Sequence, residues 1–259
     1  MNPVLIYCAA GNRRFAQIAI DRGYKYGAQL PNTIYFNPHF TDQNWKNPDR
    51  PGYMAALEQY RPALATVLDW EHDEQFNEVI DWATEAAQWV QEAVIIIPKV
   101  VGGVRRIPRQ INGKEVRLGY SASSSFSSTP VGLDEFQSWP VHCLGGTVRT
   151  QLEMRSKVDM RSADGNYIQN MARRWNMFYS PSVKAKNNGW PQLREFGLEF
   201  MKKDAIYLAF ELTCIGVPMA FNGATGREIY NAQFEFLREQ GLTPSHIQLD
   251  LWEWQSDNA

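Results

Sequence analysis

The chain has few of the residues that announce a metal or redox site. Three cysteines, Cys8, Cys143 and Cys214, stand far apart among 259 residues, with no Cys-x-x-Cys pair. That odd number without Cys-x-x-Cys spacing suggests reduced thiols in a cytoplasmic protein and removes the usual structural zinc signature. Asp69, Glu71 and His72 match no metal-ligand spacing, so no metal and no cofactor are expected. A net charge of -2 argues against a broad basic surface, though not against a local basic groove. No Gly-x-Gly-x-x-Gly, Walker loop, His-Glu-x-x-His or Gly-x-Ser-x-Gly is present, which leaves out the common dinucleotide, triphosphate, zinc-protease and hydrolase signatures. The opening MNPVLIYCAAGNRR is too short in apolar residues for a signal peptide. No apolar stretch is read as long enough for a membrane span, so no membrane partner is expected. No repeat of fixed period is visible.

What is present is an ordered core. Hydrophobic residues make up 44% and charged residues 21%, which argues against global disorder. Short apolar runs alternate with helical patterns. Strands are predicted at 4–8, 33–36 (with 26–30 competing), 65–68, 93–97, 116–120, 141–144, 158–161 and 176–179. Helices are predicted at 12–20, 51–60, from 73, 147–156 and from 166. Further helices at 190–202, 205–215 and 229–239 follow. Eight strand candidates separated mostly by helices predict an α/β fold, a (β/α)8 TIM-type barrel with extra C-terminal helices. A doubly wound sheet is the alternative. The whole of 1–259 is read as one domain, with the barrel over about 1–215 and a helical extension over about 216–259.

In such barrels chemistry sits at the carboxyl ends of the strands. Asp164 and Asp69 both fall at predicted strand mouths, and Glu71 follows Asp69 at a same-side spacing. An aspartate just before a helix is also an ordinary N-cap, so both roles stand for each residue. Gly119, Gly145 and Gly146 suit either close approach of a flat ligand or a tight turn. Ser121, Ser123 and Ser125 lie in a polar loop that suits a phosphate or a sugar. His142 is set in an apolar strand, where a core histidine is the ordinary reading. Basic residues cluster at Arg105-Arg106, Arg109, Arg173-Arg174 and 184–186.

The order of these segments resembles the tRNA-guanine transglycosylases and their phage and bacterial DNA relatives, which insert 7-deazaguanines. The resemblance is carried by Ile95-Ile96-Ile97-Pro98-Lys99-Val100 followed by Gly102-Gly103, and by Arg117-Leu118-Gly119-Tyr120-Ser121. It continues in His142-Cys143-Leu144-Gly145-Gly146, in the strand from Val158 to Asp164, and in Asp69-Trp70. Asn37-Pro38-His39 and Asp42 occupy the region of the family's Asp-Ser-Gly-Gly loop. The resemblance implies a barrel that exchanges guanine for a 7-deazaguanine base. Asp164 would attack the anomeric carbon and hold a covalent glycosyl-enzyme, and Asp69 would read the purine edge. Gly119, Ser121, His142, Gly145 and Gly146 would line the base slot, and Arg105, Arg106, Arg109, Arg173 and Arg174 would meet phosphates. The family's cysteine-rich zinc site is missing, which favours DNA over tRNA as the partner. Two alternatives remain from the residues alone: another barrel enzyme cleaving a glycosidic bond with two carboxylates, and a non-catalytic barrel binding protein.

Overall fold

A computed structural model describes residues 2–8, 12–32, 34–122, 129–183, 188–198 and 202–242. Two compact units divide the chain: Pro3–Ala16 with Gly23–Asn166, and Gln17–Arg22 with Tyr167–Ala259. The first unit carries the strands β1 (Val4–Cys8), β2 (Lys25–Gln29), β3 (Phe40–Asp42), β4 (Leu64–Thr66), β5 (Ala93–Ile96), β6 (Gln110–Ile111), β7 (Lys114–Ser121), β8 (Pro140–Leu144) and β9 (Asp159–Gly165). All neighbours from β1 to β5 pair in parallel, β9 pairs with β1, and β7 with β8 and β8 with β9. The parallel pairing of β5 with β7 closes the ring. Eight parallel strands therefore form a closed (β/α)8-type barrel, and β6 is an antiparallel hairpin arm on β7.

The barrel is filled by Ile6, Phe40, Leu64, Ala93, Ile95 and Ile97, all buried, with Cys8 and Leu144 packed against them. Every residue of β5 is buried, as a strand covered on both faces requires. Gly27 on β2 leaves room for this filling, because a Cβ there would lie 2.8 Å from Ile6 and 3.0 Å from Phe40. Helices α1 (Arg13–Asp21), α2 (Arg50–Tyr60), α3 (Phe76–Ala86) and α4 (Val148–Arg155) lie between strands in the chain. Asp49 caps α2 through the N–H of Gly52, and Thr147 caps α4 through the N–H of Thr150.

Three strand assignments differ from the sequence reading. The second strand is Lys25–Gln29, the competing segment, and 34–36 is irregular. Phe40–Asp42, read as part of a loop, is the third strand. Residues 176–179 supply no barrel strand; Met177 makes a single bridge to Gln192. The ring is instead completed by β9, which is thus the eighth barrel strand.

The second unit contains α5 (Tyr167–Trp175), α6 (Lys202–Phe221) and α7 (Gly226–Glu239), with α6 packed on both of the others. Residues 190–198 hold only a 3-10 turn, Leu193–Phe196, where a longer helix was expected. Gln233 of α7 donates to the carbonyls of Tyr179 (2.6 Å) and Leu212 (2.7 Å), tying α7 to its neighbours. Contrary to the sequence reading, Asp204–Phe221 is long and apolar enough to cross a membrane by composition alone. Half of that segment is buried within the protein, and its Glu211 is ion-paired with Arg22 at 2.7 Å, the pattern of a core helix.

Candidate functional site

Parallel strands bring their carboxyl ends to one mouth of the barrel. There β3 ends in Asp42 and β9 carries Asp164 near its end. Asp69 lies three residues past β4, where the pairing continues: the N–H of Trp70 donates to Ile97 and the N–H of Lys99 to Trp70. This holds Asp69 beside Lys99, whose Nζ sits 2.7 Å from Asp69 Oδ2 and 2.9 Å from Glu71 Oε1. Both Lys99 (8% exposed) and Asp69 (14%) are largely shut off from water. Burial works against the Lys99 charge, yet the two carboxylates outweigh it and hold the ammonium above its ordinary pKa. Burial raises Asp69, against the pull of Lys99.

Asp42 is the most perturbed carboxyl. Burial pushes it up to about 7, and the charges of Asp164 and Asp69 add to the effect. The Thr66 hydroxyl, donating at 2.6 Å to Asp42 Oδ1, opposes it only in part. Cys8, at the end of β1, is raised well above the ordinary thiol value by burial and by the charges of Asp164 and Asp42. A thiolate nucleophile at this mouth is thereby disfavoured. These effects put Asp69, Asp164 and Cys8 each within electrostatic reach of Asp42, and Cys8 within reach of Asp164.

Asp164 is a strand residue. Helix α5 begins at Tyr167, so its N-cap position falls on Asn166. Asp164 Oδ1 accepts from the N–H of Gly145 at 3.2 Å, while Gln151 Nε2 donates to the carbonyls of Gly145 (2.8 Å) and Asp164 (2.9 Å). Beneath it lies His142, fully buried. Its ring stacks on Phe40 at 4.7 Å, its Nδ1 is 2.8 Å from Ser162 Oγ, and its Nε2 is 3.4 Å from Asp164 Oδ1. That last contact is within ion-pair range but off the line of a hydrogen bond. An imidazole accepting from Ser162 at Nδ1 and carrying its proton on Nε2 suits both neighbours.

Other predicted site residues fall as follows. His142 is a support under Asp164, since a fully buried ring cannot meet a base. The space at Gly119 is filled: a Cβ there would lie 2.6 Å from Ile97 and 3.0 Å from Leu144, so this glycine serves barrel packing and opens no slot. Gly145, at φ 65°, has open space on its Cβ side, and Gly146, at φ 85°, faces Ala122. Ser121 is half-buried at the end of β7. Ser123, Ser125 and residues 184–186 lie outside the described residues. Arg106 pairs with Asp73 and covers the rings of Trp70 and Phe76, and Arg109 sits 3.6 Å above the Trp139 ring while donating to Ser138. Both have internal partners that explain their presence. Arg105, Arg173 and Arg174 are exposed.

Asp42, Lys99 and Thr66 were missed as members of the site. The strand-mouth rule would have found Asp42 had its strand been recognised. Cys8, Cys143 and Cys214 are free, and among the described residues no three His, Cys, Asp or Glu side chains converge as a metal group.

Fold and site together define a parallel eight-stranded barrel with a carboxylate-lined mouth at the strand ends. The chain belongs to the DUF6610 family, described as a family of unknown function, whose model matches residues 19–196. No curated protein matches the chain. Among solved structures, it is similar to the tryptophan synthase subunit alpha from Legionella pneumophila str. Paris at 10% identity and a TM-score of 0.36, over 86% of this chain and 93% of that one. The barrel assignment rests on the strand pairing.

Proposed function

We propose that the barrel exchanges guanine for a 7-deazaguanine base in nucleic acid, with DNA favoured over tRNA. The observation that carries this reading is the meeting of three differently held carboxyls, Asp42, Asp69 and Asp164, at one mouth. Base exchange needs a nucleophile, a proton carrier and a base reader, and the three environments suit those roles.

Asp164, held by the Gly145 N–H and backed by His142, attacks C1′ of the nucleotide as a carboxylate. The C1′–N9 bond breaks with its electron pair on N9, and guanine leaves with a proton from Asp42. A carboxyl near pKa 7 is divided between its two forms at neutral pH, as a group that both gives and takes a proton requires. The glycosyl-enzyme then meets the incoming base. Asp42 takes the N9 proton, N9 attacks C1′, and the Asp164 carboxylate is released. Asp69, with Oδ2 engaged by Lys99, offers Oδ1 to the donors on the purine edge. The open face of Gly145 gives a flat ring a place beside Asp164. A base reached this way has to leave its stack, so the substrate is single-stranded or flipped. Free thiols and the missing zinc cysteines suit a cytoplasmic protein acting on DNA.

The test is incorporation of labelled guanine or a 7-deazaguanine into DNA, with the glycosyl-enzyme sought by intact mass. Asp164→Asn keeps the shape and removes the nucleophile, and is expected to lower exchange at least ~10²-fold. Full exchange by folded Asp164→Asn protein would end the assignment, and hydrolysis of a simple glycoside by the wild type would move the same carboxylates to glycosidase chemistry.

A further inference from the structure

The second unit holds a cavity of about 650 Å³ lined by Tyr167, Met171, Trp175, Met177, Trp190 and two amides, Asn188 and Gln192. Such a volume lies in the ordinary range of small-molecule sites, roughly 300–1,000 Å³. From it we infer a binding site for an unstacked nucleobase of a single strand. The inference deepens the nucleic-acid reading above and rests on it for the polymer.

Three observations carry it. Tyr167, Met171 and Trp175 recur every four residues on α5 and so form one stripe. Trp175 is 55% exposed, an unusual place for a tryptophan unless its face is used. Tyr167 and Trp190 meet edge to face, with centroids 5.5 Å apart at 83°, which fixes rigid aromatic walls. Aromatic faces accept any base by stacking, and the amides of Asn188 and Gln192 can pair with donors and acceptors on a base edge. Arg174 lies three residues after Met171 and seven after Tyr167, on the same side of α5, and is exposed. A cation so placed suits the phosphate attached to a base in the cavity, and this charge match selects a nucleotide over an uncharged apolar ligand.

The experiment is binding of a short labelled single-stranded DNA to the full chain, followed by fluorescence anisotropy across a salt series. Trp175→Ala should weaken binding about tenfold and Trp175→Phe much less, because a ring face remains. Arg174→Gln should weaken binding and reduce the salt slope by about 1. Both side chains are exposed, so the variants are expected to fold. Unchanged affinity in Trp175→Ala and Arg174→Gln would overturn the site while leaving the barrel-mouth reading intact. Competition by a free mononucleotide at the strand's own affinity would overturn the strand assignment. Absence of strand binding by the wild type would remove the site together with its polymer. Pocket-dependent strand binding without base exchange would keep the site and sink the transglycosylase.

Discussion

The two rims of the barrel treat charge in opposite ways. At the amino ends of the strands, Arg117 pairs with Glu115 at 2.7 Å and Glu92 at 3.5 Å, and those carboxylates are 41% and 52% exposed. Each charge there has water or a partner. At the carboxyl ends, Asp42, Asp69 and Asp164 gather with Lys99 against Asp69, and Asp69 and Asp164 are only 14% and 12% exposed. Nothing in folding alone favours that crowding, since buried like charges oppose one another. Such crowding is the ground of the proposed base exchange, while the opposite rim holds its charges in screened pairs.

The comparison breaks most sharply at Lys99. Lys99→Met should remove the cation paired with Asp69 and leave a buried carboxylate without it. The expected cost is ~3–5 kcal/mol at neutral pH by urea denaturation. Adding Asp69→Asn in the same chain should recover most of it, because the orphaned charge is gone. A Lys99→Met protein as stable as the wild type would show that Asp69 is solvated, and the contrast between the rims would lose its sharpest case.

Asp42 tests the same idea with the opposite sign. Its folded carboxyl holds a proton up to about 7, whereas an unfolded aspartate loses it near 4. Between these values the folded state binds more protons, so this contribution to stability is complete below about pH 4 and falls as pH rises toward 7. Asp42→Asn keeps an acceptor for Thr66 and removes the titration. The variant should be more stable than the wild type at pH 8, by about 1–2 kcal/mol given the partial exposure of the mouth, with the gap closing toward pH 4. The proposed exchange should fall in the same protein. Equal stability of the two at pH 8 would show that the carboxyl ionises normally.

Which parts of this rim could be read from sequence follows from strand physics. Asp69 was legible because the apolar run 65–68 stops at it, and Asp164 because Val158-Asp159-Met160-Arg161 alternates buried apolar with charged residues ahead of it. Asp42 was not. Its strand has three residues, too few to show alternation. Neighbouring β2 reads KYGAQ, weak in β-formers because Gly27 has to make way for Ile6 and Phe40. The more apolar 33–36 therefore drew the assignment away from it. Asn112-Gly113, both at positive φ, is the turn of the β6–β7 hairpin, a strong local signal that went unread inside a Gly- and Arg-rich segment. Apolar 176–179 misled in the other direction, since hydrophobicity says that a segment is buried and not in which unit. The Lys99–Asp69 pair joins residues of two strand ends, and only the pairing of β4 with β5 brings them together.

The amino-end rim supplies the smallest effect and the control for the others. Glu115→Gln removes one partner of Arg117, keeps the side-chain length, and leaves Glu92 within 3.5 Å of the same guanidinium. Because Glu115 is 41% exposed, water replaces most of what the ion pair supplied. The expected loss is under ~1 kcal/mol, smaller still at high salt. The proposed exchange should not change, since Glu115 lies at the opposite end of the strand from Ser121. A loss comparable with Lys99→Met would mean that Arg117, only 12% exposed, depends on this partner as a buried ion does. The two rims would then differ in chemistry but not in how far water screens their charges, and the functional argument would rest on the crowding of carboxyls alone.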